Sequence, residues 1–439
     1  MLKSLCLTAA LAVVASAAAA QTVDPNSDLG QFRTLRAAGM DALDKGDVAT
    51  AKDQFDKAAA LMPDSPSILL LKAQLDLQGH DTAAAHDDLA DYLGRGYVVD
   101  LGKNPDFNQV WDGALDDQQN LNQQAIGDMH VATSLPGFSL TDAIAYAPDS
   151  SQIFAAGIHD GKIVAVSPQG SRDVMTFRPG VAAYGLGLRD GVIWATTAAS
   201  RQTQGYDPAR TIASKIVTID PANGQVTASF TDASQPDRRF GHLLMGKDDL
   251  YVADATHGEI LRLNGYAGEP QVLVPEGYMD SPSGLAENAD ASALMVSDFV
   301  SGLYRVDLAG GTMARLSAPD GGSLLGISSL ARYGDDLIAI ENGFKPAKIL
   351  RLHMSPDWLT VQSVEVLLRS DKLLSQPSQG LVDGDHFIFV ARSQWDNMDD
   401  QGNPVSDKPD PAVIGAIKLD PGAAQPDSQD SESTPSTQP

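Results

Sequence analysis

A short unit recurs six times between about residues 138 and 420, and few folds can accommodate it. Each copy opens on a Gly-Leu-like step, crosses a turn into a second strand, and closes on a strand of the form Gly-x-Ile-x-x-Leu. The opening apolar residues are Ile144, Leu186, Leu243, Leu285, Leu330 and Leu381, roughly 40–57 residues apart. Second strands such as Ile153-Phe154-Ala155-Ala156 and Leu250-Tyr251-Val252-Ala253 precede third strands such as Lys162-Ile163-Val164-Ala165-Val166 and Lys348-Ile349-Leu350-Arg351-Leu352. Asp160-Gly161, Asp190-Gly191 and Asn223-Gly224 supply tight turns between strands. Small sheets that are apolar on both faces must bury them against one another, and a closed ring does so for all six at once. A β-sandwich would not produce six copies of one opening-and-closing pattern. The pattern predicts a mainly β fold, a six-bladed β-propeller over 138–420, preceded by a small α-helical domain.

Residues 28–97 carry a different period. Leu35, Ala38, Met40 and Leu43, then Ala51, Phe55, Ala58 and Leu61, fall at three- and four-residue spacing, the signature of helices that bury one face. Lys45-Gly46-Asp47 reads as the turn between two helices, and Pro63 with Pro66 closes the pair. Gly39, Ala51 and Ala58 let the helices approach while Phe55 fills the groove. This set resembles a tetratricopeptide repeat, and Ala73, Ala85 and Leu89 repeat part of it 34 residues on. A pair of such repeats is expected to lean on the rest of the protein through a connector at 98–137 that contains Phe107 and Trp111. The resemblance implies a groove for a partner segment; a purely structural appendage is the alternative.

The chain begins with Lys3, an apolar run from Leu5 to Ala15, and Ala18-Ala19-Ala20 before Gln21. That order reads as a secretory signal peptide over 1–20, cleaved near Ala20/Gln21, and predicts a periplasmic protein. Elsewhere no stretch reaches the ~18 apolar residues of a membrane span, so no membrane insertion is expected. The one cysteine, Cys6, lies in that leader, which leaves no disulfide and no thiolate chemistry after cleavage. The formal charge is −26, and the longest basic runs are pairs such as Arg238-Arg239, so nucleic acid is excluded as a partner. Residues 421–439 are polar and proline-rich and read as a disordered tail.

Ser283-Gly284-Leu285 to Asp298, Gly241 to Asp254, and Gly258-Glu259-Ile260-Leu261-Arg262-Leu263 resemble the blades of the SMP-30/gluconolactonase/LRE-like family, and NHL-repeat propellers are similar. That resemblance implies a divalent cation, calcium or zinc, held on the propeller axis by Glu, Asn and Asp from the loops that open the inner strands. The corresponding openings here offer Asp142, Tyr184, His242, Ser283, Ser329 and Gln379. Asp142 is the one carboxylate among them and the one family-like metal ligand, and Ser283 stands where the family has Asn. A second polar set follows the second strands: Thr197, Asp254, Asp298, Asn342 and Arg392. These read either as loop caps or as a rim that selects a ligand, and Trp395, after Arg392, as a packing residue or a stacking platform. The acidic stretch 396–407 ends on Lys408 instead of a bidentate Glu, so it reads as a solvated loop and not a calcium loop. The expectation is a module binding a small molecule or an envelope protein or peptide, without an intact metal centre. The alternative is the metal-dependent lactone hydrolase that the resemblance implies.

Overall fold

The computed structural model describes residues 26–420, apart from residues 136, 138, 400 and 407. The leader at 1–20 and the tail at 421–439 lie outside the described residues. Four helices come first: α1 (Asp28–Asp44), α2 (Val48–Leu61), α3 (Pro66–Gln78) and α4 (Thr82–Gly94). Ser27, Asp47 and Asp81 cap α1, α2 and α4 by accepting from the backbone N–H three residues on, and Pro66 starts α3 at a position where its missing N–H costs nothing. At the α1–α2 turn Gly46 takes a left-handed φ of 77°. Ala51, Phe55 and Ala58 are fully buried between α1, α2 and α3, and a Cβ on Gly39 would stand 2.7 Å from the Phe55 ring. Ala73, Ala85 and Leu89 are fully buried in the second hairpin.

After a 3-10 turn at Pro105–Gln109 and helix α5 (Gly113–Gln123), the chain enters six four-stranded antiparallel sheets. Blade 1 is β2 (Thr141–Ala147), β3 (Gln152–Gly157), β4 (Lys162–Ser167) and β5 (Gly170–Thr176); blade 2 is β6 (Val181–Arg189), β7 (Val192–Ala199), β8 (Lys215–Ile219) and β9 (Val226–Phe230). Blade 3 is β10 (Phe240–Met245), β11 (Leu250–Asp254), β12 (Glu259–Leu263) and β13 (Gln271–Val274); blade 4 is β14 (Pro282–Glu287), β15 (Ala293–Asp298), β16 (Gly302–Asp307) and β17 (Met313–Arg315). Blade 5 is β18 (Ile327–Tyr333), β19 (Asp336–Glu341), β20 (Lys348–Met354) and β21 (Val361–Arg369). Blade 6 takes β22 (Gly380–Asp383), β23 (His386–Arg392) and β24 (Ala412–Lys418) from the end of the chain and β1 (His130–Leu135) from before blade 1. The propeller thus starts at His130, inside the stretch assigned above to the connector. β1 is largely exposed and polar; what makes it a strand is the open edge of β24, with which Leu135 pairs opposite Ala412.

Six apolar clusters fill the six seams. Ala143, Phe154 and Ile163 meet Leu186, Ile193 and Val217 between blades 1 and 2, and Ile388, Val390 and Ile414 meet Ile144 and Ala155 where blade 6 closes on blade 1. Near the axis the inner strands approach so closely that a Cβ on Gly185 would stand 2.8 Å from the Gly241 carbonyl oxygen, and one on Gly284 2.6 Å from the Leu330 nitrogen. Among the described residues no helix is long and apolar enough to cross a membrane.

Candidate functional site

The inner strands share one irregularity. β2 slips by one residue against β3 between Thr141 and Ala143, β6 against β7 between Ala183 and Gly185, and β10 against β11 between Phe240 and Leu243. β14 and β18 do the same between Pro282 and Leu285 and between Ile327 and Ser329. A bulge leaves its extra residue unpaired and re-aims it. The bulged positions are Asp142, Tyr184, Gly241-His242, Ser283-Gly284 and Ser328, so four of the six openings read from the sequence are bulge residues. In blade 5 the bulge falls on Ser328, one residue before Ser329. In blade 6 the inner strand β22 pairs with β23 without a bulge, and Gln379 precedes β22 directly.

Hydrogen bonds tie these positions together around one end of the axis, here the top. Gln379 Nε2 donates to the Tyr184 carbonyl oxygen at 2.6 Å, so a blade 6 side chain passes blade 1 to reach blade 2. Ser378 Oγ donates to the Asp142 carbonyl oxygen at 2.8 Å, and Ser329 Oγ accepts from the Gly380 nitrogen at 3.2 Å. Asp142 is 9% exposed, and its Oδ1 accepts a 3.0 Å hydrogen bond from Trp395 Nε1. Burial lowers the pKa of the His242 imidazole, and the nearby Asp142 charge works against that shift. Burial also raises the Tyr184 phenol, and Ser200, Thr203 and Arg239 pull it back. Ser283 Oγ donates to the Ile327 carbonyl oxygen at 3.1 Å.

Arg239, two residues before the blade 3 bulge, was missed in the sequence. Its neighbour Arg238 is spent: the guanidinium bonds Asp232 at 2.9 Å, Asp254 at 2.8 Å and Glu259. The Arg239 side chain makes no ion pair or hydrogen bond among the described residues, and its charge reaches Tyr184. The basic pair Arg238-Arg239 was the available signal, but a sequence does not say which of the two is neutralised.

The second polar set divides. Asp298, fully buried, accepts from the backbone nitrogens of Asp280, Ser281, Val300 and Ser301 and from Ser301 Oγ at 2.6–3.1 Å. Asp254 accepts from Arg239 and Thr256 nitrogens, Arg238 and His257. Both carboxylates are loop caps. Thr197 Oγ1 donates to the Lys215 carbonyl oxygen at 3.3 Å, and Arg392 lies 3.5 Å from Asp410. Asn342 Nδ2 donates to the Pro377 carbonyl oxygen at 2.6 Å, beside the Ser378-Gln379 step, while its buried Oδ1 has no partner. Asn342 thus binds the segment lacing the mouth through its side chain, and Arg392 meets the same segment through a backbone bridge to Ser375.

The helices stand on the same face. Asp64, in the α2–α3 turn, pairs with Arg315 at 2.6 Å; Arg95 Nη1 donates to the Gly322 carbonyl oxygen at 2.8 Å. Arg33 pairs with Asp280, and Arg369 Nη2 donates to the Leu121 carbonyl oxygen at 2.7 Å. At the centre of this joint Tyr97 Oη donates to Glu341 Oε1 at 2.6 Å, Lys348 Nζ pairs with Glu341 Oε2 at 3.0 Å, and Phe344 packs 5.0 Å from the Tyr97 ring. Glu341 occupies the blade position that Asp254 and Asp298 hold in blades 3 and 4. The helices are therefore a fixed wall over the loops of blades 3 to 5.

A hard divalent cation wants six or more converging oxygens, several of them charged. Among the described residues the six strand openings supply one carboxylate, Asp142, and the Trp395 indole donates to one of its oxygens. The Ser283 hydroxyl and the Gln379 amide nitrogen are engaged by backbone carbonyls. This donor set does not fit a metal of the kind the family resemblance implied. A second acidic group, Asp254, His257 and Glu259, has ligand atoms within 4.8 Å of one another, but the Arg238 guanidinium already bonds both carboxylates, standing where a cation would sit.

No family model and no curated protein matches this sequence. Among solved structures, a gluconolactonase from Xanthomonas campestris superposes at a TM-score of 0.46 with 11% identity, over 68% of this chain and 92% of that one. Regucalcin from Agrobacterium tumefaciens, described as a calcium-binding protein, gives 0.47 and 13% over 67% and 94%. A luciferin-regenerating enzyme gives 0.46 and 11% over 65% and 94%. By its own strand order the chain is a six-bladed β-propeller, and propellers of the gluconolactonase and regucalcin type are among its structural neighbours.

Proposed function

We propose that this chain is an exported propeller protein that binds a small polar molecule at the top of its axis, and that it does so without a catalytic metal. The observation that carries this reading is the axial donor set: among the described residues Asp142 is the one carboxylate of the six strand openings, beside His242, Tyr184, Ser283, Ser329 and Gln379, too little converging negative charge for a hard divalent cation. Around that carboxylate, Arg239, His242, Tyr184, Gln379 and Asn342 offer donors and acceptors of several kinds, the mixture that fixes the orientation of a small ligand in a concave site. The buried Gly39–Phe55 contact and the Ala73, Ala85 and Leu89 packing support reading the helices as a tetratricopeptide-like pair, used here as a wall of the site.

The test is the melting temperature of the protein in EDTA and across calcium and zinc titrations. A cation at ~100 times its dissociation constant adds about 2.7 kcal/mol through specific binding. The expected result is no saturable shift that depends on Asp142. A saturable shift abolished by Asp142→Ala would overturn the reading in favour of the metal-dependent lactonase.

A further inference from the structure

We propose that Trp395 is a gate: its indole closes the axial site in the ligand-free protein and must swing away before a ligand can reach Asp142. The inference rests on the axial site being the ligand site.

The root of the gate is fixed. Gln394, only 1% exposed, holds a left-handed φ of 74°, which costs energy in any residue with a side chain. Its Oε1 accepts from the Leu140 and Ser139 nitrogens at 3.1 and 3.3 Å, and its Nε2 donates to the Gly137 and Asp410 carbonyl oxygens at 3.0 and 2.8 Å. These bonds pin the start of the β23–β24 insertion to the entry of blade 1 and to the insertion's own far end. Immediately beyond, a single 3-10 turn at Trp395–Asn397 carries the indole to Asp142 at the bulge of blade 1.

The gate itself is lightly held. Trp395 and Met398 are only partly buried against Leu140, Ile158 and Ala182, with Tyr184 alongside. One hydrogen bond, Nε1 to Asp142 Oδ1, joins the indole to the propeller axis. Asp396 adds a single exposed contact, accepting from Ser375 Oγ at 2.9 Å. A buried carboxylate needs a donor at all times. The indole N–H supplies one while the site is empty, and a ligand hydroxyl or N–H would replace it. The exchange trades like for like, so entry leaves no buried charge unsatisfied, and the indole's face becomes free to pack on the bound molecule.

Thiol labelling tests this without any ligand, so its failure is separable from failure of the binding reading. The chain has one cysteine, Cys6; in a Cys6→Ser background, His242→Cys places the one thiol at the axis. Its reaction with the neutral disulfide 4,4′-dithiodipyridine is followed by absorbance in three backgrounds: native Trp395, Trp395→Phe and Trp395→Ala. Labelling should be slow with Trp395 in place. It should be about tenfold faster with Trp395→Phe, which keeps a ring but loses the N–H, a change equivalent to roughly 1.4 kcal/mol. With Trp395→Ala it should be at least that fast. Circular dichroism and melting of each variant confirm the fold; should Trp395→Ala unfold, Trp395→Phe carries the test alone. Rates within about twofold in all folded backgrounds, whether fast, slow or zero, would overturn the gate.

Discussion

Replacing Lys348 by Met probes the joint between helices and propeller at its most sensitive point. Lys348 and Glu341 are 4% and 2% exposed and pair at 3.0 Å, and the Tyr97 hydroxyl takes the other carboxylate oxygen. Lys348 also lies 4.1 Å from the centre of the Tyr97 ring. Removing one partner of a buried ion pair leaves the other charge uncompensated and costs about 3–5 kcal/mol. In Lys348→Met the surviving Glu341 carboxylate keeps one phenol hydrogen bond and loses its counter-charge. In the double variant Lys348→Met/Glu341→Gln no buried charge remains and the phenol still has an amide oxygen to donate to. The double variant should therefore recover more than half of the loss, a coupling of about 2 kcal/mol or more. Urea unfolding followed by circular dichroism and by tryptophan fluorescence measures both. A single-variant cost below about 1 kcal/mol, or a double variant equal to the sum of the two singles, would refute the argument that the pair works as a buried unit.

Asp160 should behave as a pH-dependent liability. Burial pushes its carboxyl up to about 6 from an ordinary 3.8, so its charged form destabilises the fold above that pH and the loss disappears below 3.8. Two pKa units correspond to roughly 3 kcal/mol, about half of which survives at a half-buried group; Asp160→Asn should melt higher at pH 8 and equal the parent at pH 4. Asp64→Ala breaks a largely buried pair with Arg315 and should cost about 2–4 kcal/mol, with limited proteolysis cutting between the helices and the propeller sooner than in the parent. Gly284→Val forces side-chain atoms against the Leu330 nitrogen and should lower the melting temperature by several degrees through about 1–3 kcal/mol of overpacking. The same change at Gly191, where a Cβ meets nothing within 4 Å, carries only the local cost of its positive φ.

The six blades were legible because their signal is local. Apolar alternation in each second and third strand, and pairs such as Asp190-Gly191 with φ of 52° and 74°, need no knowledge of distant partners. β1 was not legible, because an exposed strand with the sequence His-Val-Ala-Thr-Ser-Leu owes its pairing to β24, some 280 residues later. The axial residues were half legible. A polar or bulky residue interrupting an apolar opening, as at Asp142, Tyr184 and His242, marks a position the core does not claim. The bulge that turns it inward is a register shift, and register exists only between two strands. Contacts of long range were invisible: Trp395 to Asp142, Gln379 to Tyr184 and Tyr97 to Glu341 each join segments separated by at least 195 residues. Asp254 and Asp298 show the converse limit, since an aspartate after a strand reads the same whether it caps a loop or faces a ligand.

The two ends of the propeller are built differently, and the difference supports placing the proposed ligand site at the top. On the bottom face the connections run from two residues, as between β6 and β7 and between β22 and β23, to seven, between β12 and β13. Long connections gather at the top, at 200–214 between β7 and β8, 316–326 between β17 and β18, 370–379 between β21 and β22 and 393–411 between β23 and β24. The helices rest on that face too, through Asp64, Arg95 and Tyr97. Short turns are all that stability requires of a blade, whereas long ordered loops lose conformational entropy without adding to the seams. Their concentration over Asp142, Tyr184, His242 and Gln379 means that this entropy is spent on shaping one mouth. Lengthening the Asp190-Gly191 turn by a few residues should therefore leave ligand binding unchanged, while shortening 393–411 should alter it without unfolding the ring.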